Sequence, residues 1–235
     1  MKSKTITVVA LVGAQIFFFG APRQMRAQDN KTPYSSMAPL EQYLMDRNAE
    51  IALARSAAPK SISRDAKILV LGLHGYETAV EGKNGFVCVV GRSWMLPFDN
   101  QEFWNPKVRL PLCANPPGAR FHLALAFRTA DLAIAGASKN QMSDRLKSAY
   151  DNKELPLPEH GSMCYMMSKQ QYFGDKIGNA GDSHLMFWFA QGEHMAWGAE
   201  ASDSPVDVHE YSPQPITEFS ISVSKWSDGT SVPAN

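Results

Sequence analysis

Lys67-Ile68-Leu69-Val70-Leu71-Gly72-Leu73, Tyr76-Glu77-Thr78-Ala79-Val80 and Phe86-Val87-Cys88-Val89-Val90 are the stretches that decide the fold. The first and third are continuous apolar runs rich in branched residues, as expected of strands covered on both faces. The middle run alternates Tyr76, Thr78 and Val80 with Glu77 and Ala79, the period of a half-buried strand. His74-Gly75 and Glu81-Gly82-Lys83-Asn84-Gly85 supply the turns, and Asn84-Gly85 is a strong hairpin signal. The spacing predicts a three-stranded antiparallel meander whose third strand is central.

Working outward, residues 39–56 carry Leu40, Tyr43, Leu44, Ile51 and Ala54 near one helical face, and Ala58-Pro59 ends that helix. Residues 91–118 hold Trp94, Pro97, Trp104, Pro106, Pro111, Pro116 and Pro117 and read as irregular. Two helices follow. Ala119–Ala135 is apolar nearly all round and closes at Gly136, and Ser138 with Gln141 forms a capping box opening the second. Residues 162–168 and 184–190 read as buried strands. A last strand alternates Phe219, Ile221 and Val223 with Glu218, Ser220 and Ser222, which gives it one wet face at or near a sheet edge. The sum is α+β: a mixed, mainly antiparallel sheet with a layer of two to three helices. It forms a single domain over residues 39–230, with a flexible segment at 28–38 and a tail at 231–235.

Residues 1–27 read differently. Met1-Lys2-Ser3-Lys4 is a basic start, Ile6 to Ala21 is an apolar run, and Ala27 offers a small-residue exit. That order is the layout of a secretory signal peptide, with a run short for a membrane span. Met25 and the late positive charges Arg23 and Arg26 are blemishes, and an uncleaved anchor is the alternative. The segment holds four of the 23 Lys+Arg and none of the 23 Asp+Glu, so cleavage turns a neutral chain into one with four excess acids. No basic stripe remains for a phosphate backbone, which excludes nucleic acid as an expected partner. A membrane enters only through an uncleaved signal. The expected location is periplasmic or extracellular, where one disulfide among Cys88, Cys113 and Cys164 is expected, with three pairings open.

Catalytic motifs mostly fail on physical grounds. Ser222-Val223-Ser224-Lys225 has the S-x-x-K spacing, but a period-two strand separates the two side chains that a helix would bring together. Nucleophile elbow, phosphate loop and zinc-helix motifs are missing from the chain. The loop with Asp175, Asn179 and Asp182 has oxygens but not the spacing of a calcium loop. A two-residue turn at Gln191-Gly192 would put His184 and His194 on opposite sheet faces, against a shared metal. Three residues stay as candidates for catalysis or binding. His184 enters a buried strand just after Asp182, and His122 faces inward with Thr129, opposite Arg120, Arg128 and Asp131. An inward polar pair is either a satisfied core contact or one wall of a pocket. No cofactor and no metal are expected.

Asn84-Gly85-Phe86-Val87-Cys88, Met163-Cys164-Tyr165-Met166-Met167-Ser168 and Lys225-Trp226-Ser227-Asp228-Gly229-Thr230 resemble a group of secreted bacterial proteins with no assigned activity, and Arg55-Ser56-Ala57-Ala58-Pro59 fits the same group. The resemblance covers most of residues 50–230 and implies bacterial export, with no chemistry attached. The resulting expectation is a binding or accessory module of the cell envelope, its partner an unknown small ligand or an envelope protein. The rival is a hydrolase or metal-dependent enzyme with His184 at its centre.

Overall fold

A computed structural model describes residues 34–178, 182–192 and 197–233. The signal segment at 1–27, the first part of the flexible segment, Asn179 and His194 lie outside the described residues. Among the described residues eight strands form one sheet: β1 Lys67–Gly72, β2 Gly75–Val80, β3 Val87–Gly91, β4 Leu110–Ala114, β5 Met163–Met166, β6 His184–Ala190, β7 Val206–Glu210 and β8 Ile216–Ser222. Their order across the sheet is β2-β1-β3-β4-β5-β6-β8-β7. All neighbours are antiparallel except β1 and β3, which run parallel. The described residues also form four α-helices: α1 Arg47–Arg55, α2 Lys60–Ser63, α3 Pro116–Ile134 and α4 Lys139–Asp151. The α+β single-domain expectation holds.

The predicted meander does not form. β2 returns along β1, and the chain then crosses to the other edge of β1 to lay β3 beside it. Asn84-Gly85 is therefore part of a crossover, not a hairpin. Asn84 donates from its side chain to the Ile62 carbonyl and accepts from the Phe86 N–H, fixing the entry to β3. Gly85 takes φ 78°, a conformation that favours glycine. A local turn signal reports a turn without reporting which edge the next strand will join.

β3 is central and covered on both faces, as its unbroken apolar run implies. Cys88 and Val90 pack under α1 with Leu53, Ala54 and Cys113. Val89 faces the opposite layer, with Leu112, Phe121 and Leu123. The helices thus divide between the two faces of the sheet. The helix expected over 39–56 is interrupted: a 3-10 turn at Leu40–Gln42 precedes α1, whose cap is Asp46, accepting from the Ala49 N–H. The capping box of Ser138 and Gln141 is present, and Gly136 at φ 76° ends the α3 segment.

The stretch read as irregular contains β4. Its residues are all buried, and it carries Pro111, a residue that ordinarily counts against a strand. Pro111 is accommodated because β5 pairs only with Cys113 and Ala114, so no β5 ladder bond is lost at position 111. Cys88 and Cys113 lie directly opposite on β3 and β4 and form the disulfide, while Cys164 is free and buried. Among the described residues no helix is long and apolar enough to cross a membrane.

Among the described residues one ion pair lies wholly inside this scaffold. Arg92 and Glu50 have side chains 0% and 1% exposed and meet at 2.8 Å. Arg92 also donates to the Tyr43 and Val90 carbonyls, and Glu50 accepts from the Leu71 N–H. Removing one partner leaves a buried charge uncompensated, a loss of about 3–5 kcal/mol. Arg92→Met should therefore lower the denaturation free energy by that amount, and Arg92→Met with Glu50→Leu should recover most of it in urea unfolding curves. Thiol trapping should label no cysteine in the native protein and one, Cys164, after unfolding without reductant. Replacing Cys88 and Cys113 by Ala should cost about 2–4 kcal/mol.

Candidate functional site

The half of the sheet beyond β4 carries a cavity on its α3 side. It has a volume of about 270 Å³ and is lined on one side by the segment 95–97 that follows Arg92. Apolar side chains form most of the wall, among them Met95, Leu96, Leu110, Leu112, Met166 and Met186, with Phe173 at one side. Six polar groups converge on the same space: His122, His184, His209, Tyr211, Glu218 and Ser220. A predominantly apolar concavity with a few convergent polar groups is the usual form of a small-molecule site, here at the small end of the range.

Strand register explains the convergence. β8 lies between β6 and β7, with Glu218 opposite Trp188 on one side and opposite His209 on the other. Side chains directly opposite on one face approach to about 5 Å at Cβ. Ser220 lies opposite Met186, and His184 opposite Met166, so alternate residues of four strands point into one space. The face of β8 read as wet faces this cavity. The other face, with Phe219, packs against Phe189 and Trp197.

The Glu218 carboxylate accepts a hydrogen bond from the Trp188 indole N–H at 2.8 Å, the one hydrogen bond of this side chain among the described residues. Burial pushes its carboxyl up to about 7, only partly offset by the indole. Burial and the nearby Glu218 likewise raise the Tyr211 phenol. His122, on α3, stacks flat on Trp188, with ring centroids 4.5 Å apart and planes 15° apart. It is 9% exposed, and its buried Nε2 has no partner among the described residues. Burial lowers its imidazole to about 4, so it is neutral at ordinary pH. Its inward partner Thr129 needs no help, since its hydroxyl donates to the Leu125 and Ala126 carbonyls of the same helix. A second, smaller cavity of about 50 Å³ adjoins the first and shares His122, Tyr211 and Glu218.

His184 is half-buried, with Nδ1 2.7 Å from the Asp182 carbonyl oxygen. Nδ1 must therefore carry the proton, leaving Nε2 as an acceptor in the neutral ring. Burial lowers its pKa against smaller opposing contributions from Asp182 and Asp207. Of the three sequence candidates, His184 and His122 meet at one cavity. Asp182 supplies only its backbone carbonyl, and its side chain is exposed. Asp175 is held elsewhere, by Tyr34, Tyr172 and Lys107. No group of three His, Cys, Asp or Glu among the described residues is placed to hold a metal ion. The residues that would return from a turn at Gln191-Gly192, His194 among them, lie outside the described set; β6 pairs along its whole length with β8.

Glu218, His209, Tyr211 and Ser220 were not singled out from the sequence. The signal existed in Val206-Asp207-Val208-His209-Glu210, whose alternation is that of a half-buried strand. No family model, curated protein or solved structure matches the chain.

Two opposed pH effects follow. Folded Glu218 keeps its proton up to about pH 7 while the unfolded residue loses it near 4.5, so its contribution to stability declines as pH rises through that interval. Unfolded His122 gains a proton below 6.5 and the folded residue only near 4, so its contribution declines as pH falls through that interval. Glu218→Gln should gain stability over the parent as pH rises, by about 2 kcal/mol at neutral pH and above, a fraction of the full shift because the group is partly exposed. His122→Phe should show a relative gain that grows toward acid. Melting temperatures across pH 4–8 check both, and differences that stay flat with pH would contradict them.

Proposed function

We propose that this chain is an exported bacterial binding module that holds a small ligand in the cavity between α3 and the β4–β7 half of the sheet. The observation that carries the reading is His122: a side chain nine-tenths buried, with a ring nitrogen that no described residue satisfies, on the wall of a cavity. Buried polar atoms in native proteins almost always have a partner, and a cavity ligand supplies one. Export is supported by the disulfide between Cys88 and Cys113, by the signal-like order of residues 1–27, and by the resemblance to secreted bacterial proteins.

A second reading is favoured by one observation, the Glu218 carboxyl pushed up to about 7 on the wall of a cavity that His184 and His122 also line. A group that titrates near working pH can take and return a proton, so the same cavity would suit acid–base catalysis. Glu218 rather than Asp182 would then be the carboxyl group that exchanges the proton. The metal-dependent form of this reading has no support among the described residues.

The test is a thermal-shift screen of small polar-aromatic fragments against the parent and Ser220→Phe, which fills the cavity from β8. At a hundredfold excess over Kd a bound fragment adds about 2.7 kcal/mol, a shift of several degrees. Shifts in the parent that vanish in a folded Ser220→Phe support the reading; shifts retained there place binding elsewhere and overturn it. Intact mass of protein recovered from the exporting host should lack residues 1–27, and a mass that includes them contradicts cleavage.

A further inference from the structure

The lining of the cavity selects by charge. Among the described residues it contains no Lys or Arg, and burial holds His122 and His184 toward their neutral forms. A carboxylate or phosphate ligand would therefore meet Glu218 with no fixed counter-charge. The polar groups instead offer lone pairs: the Glu218 oxygen not engaged by Trp188, the Nε2 of His184 and the hydroxyl of Ser220. Around them stand apolar side chains and two aromatic rings, Phe173 and Tyr211, whose faces attract cations. Resting on the reading of the cavity as a ligand site, we propose that its ligand is a small protonated amine with an apolar body, its ammonium seated against the Glu218 carboxylate and its body among Met166, Met186 and Leu112.

Binding would be linked to the proton on Glu218. An ammonium within contact distance favours the ionised carboxylate, so at and below neutral pH the carboxyl must release its proton as the cation enters. The titratable groups around the cavity that holds Glu218 are His122 from α3, His184 from β6, His209 and Asp207 from β7, Tyr211 after β7 and Cys164 from β5. Protonation of any of the three imidazoles also opposes a cation. Every protonation around the site thus weakens binding as the solution is acidified, and the linkage has one sign.

Benzylamine, benzyl alcohol and benzoate share a shape and differ in charge, so calorimetric titration of the three into the parent chain reads the preference directly. Benzylamine should bind tightest, its affinity falling about tenfold between pH 8 and pH 6. Its heat at pH 6.5 should change with the ionisation enthalpy of the buffer, reporting a released proton. Glu218→Gln should lose most of the affinity for benzylamine and keep that for benzyl alcohol. The buffer dependence needs no variant and stands if Glu218→Gln folds poorly. Benzyl alcohol or benzoate binding as tightly as benzylamine, or no proton release, overturns the inference while leaving a ligand site in place. Failure of all three probes overturns it too, and the cavity reading falls with it only if the fragment screen is also empty.

Discussion

The register that sets Glu218 between Trp188 and His209 is the constraint on which the site depends. In a sheet with period two, this pairing forces a carboxylate onto the face covered by α3, away from bulk water. A one-residue slip of β8 would send Glu218 to the outer face and bring Phe219, now fully buried, into the cavity. The register is held because Phe219 must stay packed on Phe189 and Trp197. The polar face is thus fixed by the apolar one. Trp188 links the two halves of the site, giving its N–H to Glu218 and its ring face to His122.

The other half of the molecule is built for rigidity. The Arg92–Glu50 pair ties α1 to β1 and to the end of β3, and the disulfide joins β3 to β4. The segment that carries Met95, Leu96 and Pro97 along the cavity begins at Arg92, whose guanidinium is anchored on three elements. Fixing one wall by a buried ion pair limits how far the cavity can collapse when empty. A buried charge pair stabilises little in net terms compared with apolar packing, so this position serves geometry more than stability.

Much of this fold could be read from local patterns. The unbroken run at Phe86–Val90 identified a strand covered on both faces, and Ser138 with Gln141 identified the start of α4. The parallel pairing of β1 with β3 could not be read, because edge choice depends on packing remote from the turn. Pro111 hid β4, since proline counts against a strand unless the neighbouring strand has already ended. The inward-facing polar pair on α3 pointed to either core or pocket, and only tertiary structure separates Thr129, satisfied by its own helix, from His122, which is not. Glu218 was read as facing water for a sound local reason: an alternating carboxylate normally does. That the space over it is a cavity walled by α3 and residues 95–97 is information no window of β8 contains.

The measurement that bears most directly on this account is a carbon-13 NMR titration of the glutamate side-chain carboxyls, with Glu218 assigned through Glu218→Gln. One carboxyl, that of Glu218, should titrate with a midpoint near 7. A Glu218 midpoint in the ordinary carboxylate range would mean that water reaches the group freely, and the charge-selective cavity described above would not exist.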